Sequence, residues 1–128
     1  MKKVLIVEDH ADMRELLTWQ IELMGFVPIS AKNGKEGLEK AIAERPELIL
    51  MDIMMPGMDG WEAARTLRAN PETKDIPILA ATALFRDSDL KSCMDAGCNS
   101  YIVKPFTFQE LQTKIRELIP MTNCALPV

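Results

Sequence analysis

Five residues with reactive or metal-binding side chains lie at or just beyond the ends of short apolar runs. They are Glu8, Asp9, Asp52, Thr82 and Lys104. Carboxylate oxygens are the ligands that Mg²⁺ prefers, and the bound ion usually keeps several waters. A carboxylate beside such an ion can attack a phosphoryl group, while an ammonium and a hydroxyl stabilise the charge that develops on the phosphoryl oxygens. These residue types therefore indicate phosphoryl transfer to a carboxylate.

The spacing of apolar residues predicts five strands that alternate with five helices, which is typical of an α/β fold. The predicted strands are the apolar runs 4–7, 26–29, 47–51, 76–80 and 100–103. Such alternation implies a parallel sheet with helices on both faces, joined by right-handed crossovers. Ligands of these sheets bind beyond the C-terminal ends of the strands. We therefore expect one edge of the sheet to bring the five reactive residues together.

Finer expectations concern the sheet edge and the helix faces. Pro28 lacks a backbone N–H and predicts an edge position for the second strand. Helical periodicity places Leu16 on the core face of the first helix and Met94 on the core face of the fourth. Cys93 and Cys98 flank the end of that fourth helix, where core packing and redox sensing both remain open.

Length and composition restrict the class of protein. The chain has 128 residues, of which 48% are hydrophobic and 27% charged, values typical of one globular domain. Its 15 Lys and Arg against 19 Asp and Glu give a net charge of −4, which predicts no nucleic-acid partner and no membrane partner. Three cysteines, an odd number, exclude a full disulfide framework and predict a cytoplasmic protein. The N-terminal apolar run is too short for a signal peptide or a membrane span.

Each reactive residue also has an ordinary structural interpretation. An acid at a strand end is usually a helix cap or a solvated charge, and a single threonine or lysine is more often structural still. His10 could bind a metal, although Mg²⁺ prefers oxygen, so a loop or capping role is favoured. The functional interpretation depends on five such residues lying at the same end of separate strands.

Four segments, taken in order, carry a resemblance to a known family. They are VLIVED at 4–9, LILMDIMMPGMDG at 48–60, ATA at 81–83 and GCNSYIVKPF at 97–106. On these motifs the chain resembles the receiver domain of bacterial two-component response regulators, over about residues 2–119. The resemblance implies a doubly wound, flavodoxin-like, five-stranded parallel sheet in the order 2-1-3-4-5. It also implies a receiver domain at 1–120, followed by a tail at 121–128.

The resemblance implies a role for each acidic residue. Asp52 would be the phosphoacceptor. Glu8 and Asp9 would hold Mg²⁺ together with Asp52 and the backbone carbonyl of Met54. Asp9 would bind the ion directly, whereas Glu8 would bind it through water.

Further roles follow from the same resemblance. Thr82 would hydrogen-bond a phosphoryl oxygen, and Lys104 would pair with the phosphoryl group or with the unmodified carboxylate. A cis peptide bond at Pro105 would direct the lysine. Tyr101 would be the switch aromatic, turning inward as Thr82 moves toward the phosphate.

The function implied is a phosphorylation-dependent signalling switch rather than an enzyme. A histidine kinase or histidine phosphotransfer protein would supply the phosphoryl group. The switch would be a stand-alone, chemotaxis-type regulator that contacts a downstream protein through its fourth helix, fifth strand and fifth helix. A receiver segment of a hybrid kinase or larger regulator remains an alternative.

Two further classes fit the motifs less well. An aspartyl-nucleophile phosphatase would carry Asp-x-Asp after its first strand, where this chain has Glu8-Asp9-His10. A flavin-binding electron carrier would need a phosphate loop there, and the two acids would repel the phosphate.

Overall fold

The structure is a computed structural model that describes residues 2–53, 60–83 and 86–119. Within these ranges, five parallel strands form one sheet in the order β2-β1-β3-β4-β5. The strands are β1 (Lys3–Val7), β2 (Val27–Ala31), β3 (Leu48–Asp52), β4 (Ile78–Thr82) and β5 (Ser100–Val103). The predicted parallel sheet and its strand order are confirmed.

The three central strands are buried on both faces, which explains why their sequences are continuous apolar runs rather than alternating ones. Every residue of β3 and β4 is buried, as are four of the five residues of β1. Parallel strands that helices cover on both sides have no solvent-facing residues. At the edge, β2 is only partly buried and tolerates Pro28, as predicted.

Five helices of the described ranges cover the two faces of the sheet. They are α1 (Ala11–Leu23), α2 (Gly34–Glu44), α3 (Gly60–Ala69), α4 (Asp87–Asp95) and α5 (Phe108–Leu118). One core cluster joins α2, α3 and α4 to the sheet through residues such as Ala41, Ala64 and Cys93. A second cluster joins α1 and α5 to the opposite face through residues such as Leu17 and Leu111. The sheet is therefore held between two helical layers.

Three strands begin later than the sequence predicts, and β3 is displaced by a single residue, to Leu48–Asp52. The predicted strands 26–29 and 76–80 become Val27–Ala31 and Ile78–Thr82. The Phe26 N–H donates to the Ile21 carbonyl at 3.2 Å, and the Ile76 N–H donates to the Thr73 carbonyl at 3.1 Å. Both residues therefore belong to turns, although their side chains pack against the core. An apolar loop residue beside the core resembles a strand residue in the sequence.

Two apolar residues predicted to face the core are exposed instead. Leu16 and Met94 are each 43% exposed, whereas their chain neighbours Leu17 and Cys93 are buried. Successive residues of a helix point about 100° apart. The buried stripes of α1 and α4 are narrower than predicted, so these two side chains fall outside them.

Some of the sequence predictions concern residues that lie outside the described ranges. The domain end at 120 and the tail at 121–128 lie outside them. Within the described ranges, none of the helices combines the length and the apolar character that crossing a membrane requires.

The two described cysteines pack in the core beneath α4. The Trp61 indole N–H donates to the Cys93 sulfur at 3.3 Å. Burial first, and then the neighbouring Cys93, raise the pKa of the Cys98 thiol to about 12, and the Arg68 guanidinium offsets this only in part. Because the thiolate is the reactive form of cysteine, these properties favour core packing over redox sensing for Cys98.

The raised pKa of Cys98 predicts slow alkylation of the folded protein. The test uses a Cys124→Ser variant that keeps Cys93, and peptide mapping follows the labelling of Cys98 separately. At pH 8.5 we expect iodoacetamide to label Cys98 in the native protein roughly a thousandfold more slowly than in the urea-unfolded protein, because the thiolate fractions differ by about that factor. Mass spectrometry measures both rates. Rates within about tenfold of each other would contradict the pKa assignment.

The same pKa shift makes the free energy of unfolding depend on pH in a defined direction. The pKa of the folded thiol lies above its ordinary value of 9.0, so the fold favours the neutral thiol. The resulting stabilisation is present below about pH 9 and is lost as the pH rises toward 12.

Candidate functional site

The C-terminal edge of the sheet gathers the acidic residues that the sequence singles out. Glu8 and Asp9 follow β1 directly, and Asp52 is the last residue of the neighbouring strand β3. Each of the three can place a carboxylate oxygen within 4.8 Å of the others. The strand order produces this proximity, because β1 pairs with β3 up to Val7 and Met51.

Lys104 connects two of these carboxylates. Its Nζ atom lies 3.3 Å from Glu8 Oε1 and 3.4 Å from Asp52 Oδ1. Glu8 is 2% exposed and Asp52 7% exposed, so solvent screens these ion pairs only weakly. The Lys104 N–H donates to the Thr82 carbonyl at 2.7 Å, and the peptide bond to Pro105 is cis, as predicted.

The two acids that follow β1 are in different environments. Besides the ion pair with Lys104, the Glu8 carboxylate accepts a hydrogen bond at Oε2 from the His10 N–H at 3.2 Å. Both Glu8 oxygens are therefore engaged within the protein. Asp9 is exposed. His10 is the N-cap residue of α1, but its side chain makes no capping hydrogen bond.

Thr82 and Tyr101 lie on the two strands nearest the Lys104 side of the site. Thr82 ends β4 and is fully buried. Tyr101 pairs in register with Ala80, and Val103 pairs with Thr82. Because side chains alternate along a strand, Thr82 and Tyr101 point to the same face of the sheet. The Tyr101 ring is half-buried, and the Lys114 Nζ atom lies 5.8 Å from its centroid.

The donor set fits a hard divalent cation. Three carboxylates converge, which suits Mg²⁺ because this ion takes oxygen ligands and keeps waters. A cleft of about 360 Å³ gives access, lined by Glu8, Asp9, His10, Met13, Asp52 and Lys104. The fourth predicted ligand, the Met54 carbonyl, lies outside the described residues.

One residue beside this cleft carries no prediction from the sequence. The Arg14 guanidinium donates to the Glu8 carbonyl at 2.8 Å and to the Asp9 carbonyl at 3.4 Å. The only signal in the sequence is a cation one helical turn beyond the acidic pair. Its contacts are with backbone atoms, which side-chain patterns do not reveal.

Comparison with known proteins identifies the family. A family model described as the response regulator receiver domain matches residues 4–116. The chain belongs to this family. The curated relatives include the probable transcriptional regulator ycf27 of Guillardia theta, which is 36% identical over 124 residues, covering 97% of this chain and 48% of the relative.

A second relative and a solved structure extend the comparison. The DNA-binding dual master transcriptional regulator RpaA of Synechocystis sp. is 32% identical over 123 residues, covering 96% of this chain and 51% of the relative. The receiver domain of the sensor histidine kinase PA1611 of Pseudomonas aeruginosa PAO1 has a magnesium ion coordinated in its active site cleft. It matches this chain with a TM-score of 0.86 and 31% identity, covering 92% of this receiver and 97% of that chain.

These relatives correct one prediction about partners. The prediction of no nucleic-acid partner is wrong, because relatives of this receiver are transcriptional regulators and one is named DNA-binding. The receiver spans about half the length of these relatives. A net charge of −4 describes this segment alone, so it carries no information about surfaces elsewhere in a longer protein.

Other predictions are not decided by the relatives. A stand-alone, chemotaxis-type regulator is not confirmed, since the curated relatives are about twice as long. The cytoplasmic location and the output face of α4, β5 and α5 stay predictions.

Proposed function

We propose that this receiver is a phosphorylation-dependent switch that accepts a phosphoryl group on Asp52 from a histidine kinase or a histidine phosphotransfer protein. The observation that carries the proposal is the position of Asp52. Its carboxylate ends a central strand, lies 3.4 Å from the Lys104 ammonium, and adjoins Glu8 and Asp9. Membership of the receiver family supports the same function.

Mg²⁺ is the cofactor we propose for this site. Asp9 and Asp52 would bind it directly, Glu8 would bind it through water, and the Met54 carbonyl would complete the protein ligands. The ion would neutralise charge on the phosphoryl oxygens. The magnesium ion in the PA1611 receiver domain supports this assignment.

The proposed reaction is an in-line displacement at phosphorus. An oxygen of Asp52 forms the new bond to phosphorus, and the bond from phosphorus to the donor histidine nitrogen breaks, leaving that nitrogen free to take a proton. The Lys104 ammonium pairs with the phosphoryl oxygens, and the Thr82 hydroxyl donates a hydrogen bond to one of them. The chain then acts as a phosphoacceptor and not as an enzyme on outside substrates.

The output of the switch depends on the protein that contains the receiver. We propose the alternative of a larger regulator over the stand-alone form. The observation that favours it is that the curated relatives are transcriptional regulators of about twice this length. A new dianion at Asp52 would then alter contacts between the receiver and the remainder of that regulator.

Phosphorylation of Asp52 is tested with acetyl phosphate and intact-mass measurement. With Mg²⁺ present, we expect the mass of one phosphoryl group to be added. Asp52→Asn should remove the addition, and so should chelation of the metal, because the nucleophile or the charge-neutralising ion is then lost. Asp95→Asn, at the exposed end of α4, is the matched control and should label normally. Labelling that persists in Asp52→Asn would refute the assignment.

Metal binding is tested by comparing the two acids that follow β1. We expect Asp9→Asn to weaken Mg²⁺ binding by more than about tenfold, because its exposed carboxylate would be a direct ligand. Glu8→Gln should cause a smaller loss, because both Glu8 oxygens already have partners within the protein. Calorimetric titration measures both affinities, and Asp95→Asn again serves as the control. Equal losses, or a larger loss in Glu8→Gln, would contradict these roles.

A further inference from the structure

Three consecutive carbonyl groups beside the acidic cluster accept hydrogen bonds from a single residue. The Arg14 guanidinium donates to the carbonyl of Glu8 at 2.8 Å and to that of Asp9 at 3.4 Å, both through the same nitrogen. The Arg14 backbone N–H donates to the carbonyl of His10 at 2.9 Å. The whole turn that joins β1 to α1 is therefore attached to Arg14.

These bonds fix the backbone on both sides of Asp9. A peptide unit is planar, so the direction of its carbonyl defines the orientation of the whole plane. The Glu8 carbonyl belongs to the plane that precedes the Asp9 Cα atom, and the Asp9 carbonyl belongs to the plane that follows it. Holding both planes restricts both backbone dihedrals of Asp9, and with them the direction of its Cα–Cβ bond.

Asp9 depends on this backbone restraint more than its neighbours do. The Glu8 carboxylate is held by Lys104 and by the His10 N–H, and the Asp52 carboxylate by Lys104. No hydrogen bond to the Asp9 carboxylate is found among the described residues, and the residue is exposed. The backbone therefore sets where this carboxylate points.

The position of Arg14 early in α1 indicates that its positive charge serves the turn between β1 and α1 rather than the helix itself. A positive charge near the N-terminus of a helix is unfavourable, because the helix dipole is positive there. Arg14 is the fourth residue of α1, whose N-cap residue is His10. Helix stability alone would favour an acid or a neutral residue at this position, so the contacts with the acidic turn offset an unfavourable placement.

We infer that Arg14 is a positioning residue of the metal site, which orients the Asp9 carboxylate through the backbone of residues 8–10. The inference rests on the proposed function, because it assumes that Asp9 binds Mg²⁺. The guanidinium suits the task since it remains protonated and presents several donors from a planar group, whereas a lysine ammonium is a compact charge on a flexible stem.

The first experiment measures Mg²⁺ affinity by calorimetry in Arg14→Met, Arg14→Lys and wild type. We expect Arg14→Met to weaken binding about tenfold, as is typical when a group that orients a metal ligand is lost. Arg14→Lys should recover part of the loss, because it keeps the charge and a donor. Arg116→Met, an exposed arginine of α5, is the matched control and should bind like wild type. Wild-type affinity in Arg14→Met would overturn the inference.

A double-mutant cycle separates positioning of Asp9 from a general effect of charge. Arg14→Met is measured again in the Asp9→Asn background, with NMR shifts following the weaker binding. If Arg14 acts through Asp9, its substitution should have almost no further effect there. An equal fold-loss in both backgrounds would overturn the inference in favour of a simple field effect.

The two experiments also distinguish this inference from the proposed function. Wild-type protein that binds no Mg²⁺ would refute the proposed metal site itself, and the inference would fall with it. Wild-type binding that Arg14→Met leaves intact would refute only the role of Arg14. Thermal unfolding of each variant, without metal, shows whether the fold is retained. If Arg14→Met does not fold, Arg14→Lys decides: an affinity below that of wild type supports the role, and wild-type affinity refutes it.

Discussion

Mutual repulsion among three carboxylates is the constraint on which the site depends. The parallel sheet places the carboxylates of Glu8, Asp9 and Asp52 close together. Two of the three are almost fully buried, where ionised groups are costly without partners. Lys104 contacts both of these buried acids, so its ammonium compensates the charges that solvent cannot reach. The third acid, Asp9, remains in contact with solvent and needs no such partner.

The topology explains why these groups meet at all. β1 lies next to β3, β4 next to β3, and β5 next to β4, so residues distant in the chain end on adjacent strands. Lys104 and Glu8 are 96 residues apart, yet they form an ion pair. The helical layers on both faces bury nearly all of the central strands and so fix their relative positions. Rigid strand ends are what allow a few side chains to hold a defined geometry.

Sequence patterns predict this arrangement well wherever strand ends determine it. Continuous apolar runs reveal strands buried on both faces, and the residue after each run must lie at the common edge. The patterns fail where local contacts determine where a strand begins or which helix residues are buried. Phe26 and Ile76 are apolar because they pack on the core from turns, and Leu16 lies just outside a narrow buried stripe. The sequence does not predict the contacts of Arg14, because its partners are backbone carbonyl groups, which every residue carries. Net charge failed as a guide to nucleic acid because it belongs to one segment of what, in the relatives, is a longer protein.

Lys104 and Arg14, two cations beside the site, bind different partners, and the difference suits their chemistry. Lys104 contacts carboxylates, and its ammonium on a flexible stem can exchange one oxygen partner for another. Arg14 contacts backbone carbonyls, which do not titrate. A cation that must move from a carboxylate to an incoming phosphoryl group is best supplied by a lysine. A support that must stay unchanged while charge enters and leaves is best supplied by a guanidinium bound to the backbone. Under the proposed function, the site therefore combines one exchangeable cation with one fixed cation, and the fixed one keeps Asp9 in place while the other changes partners.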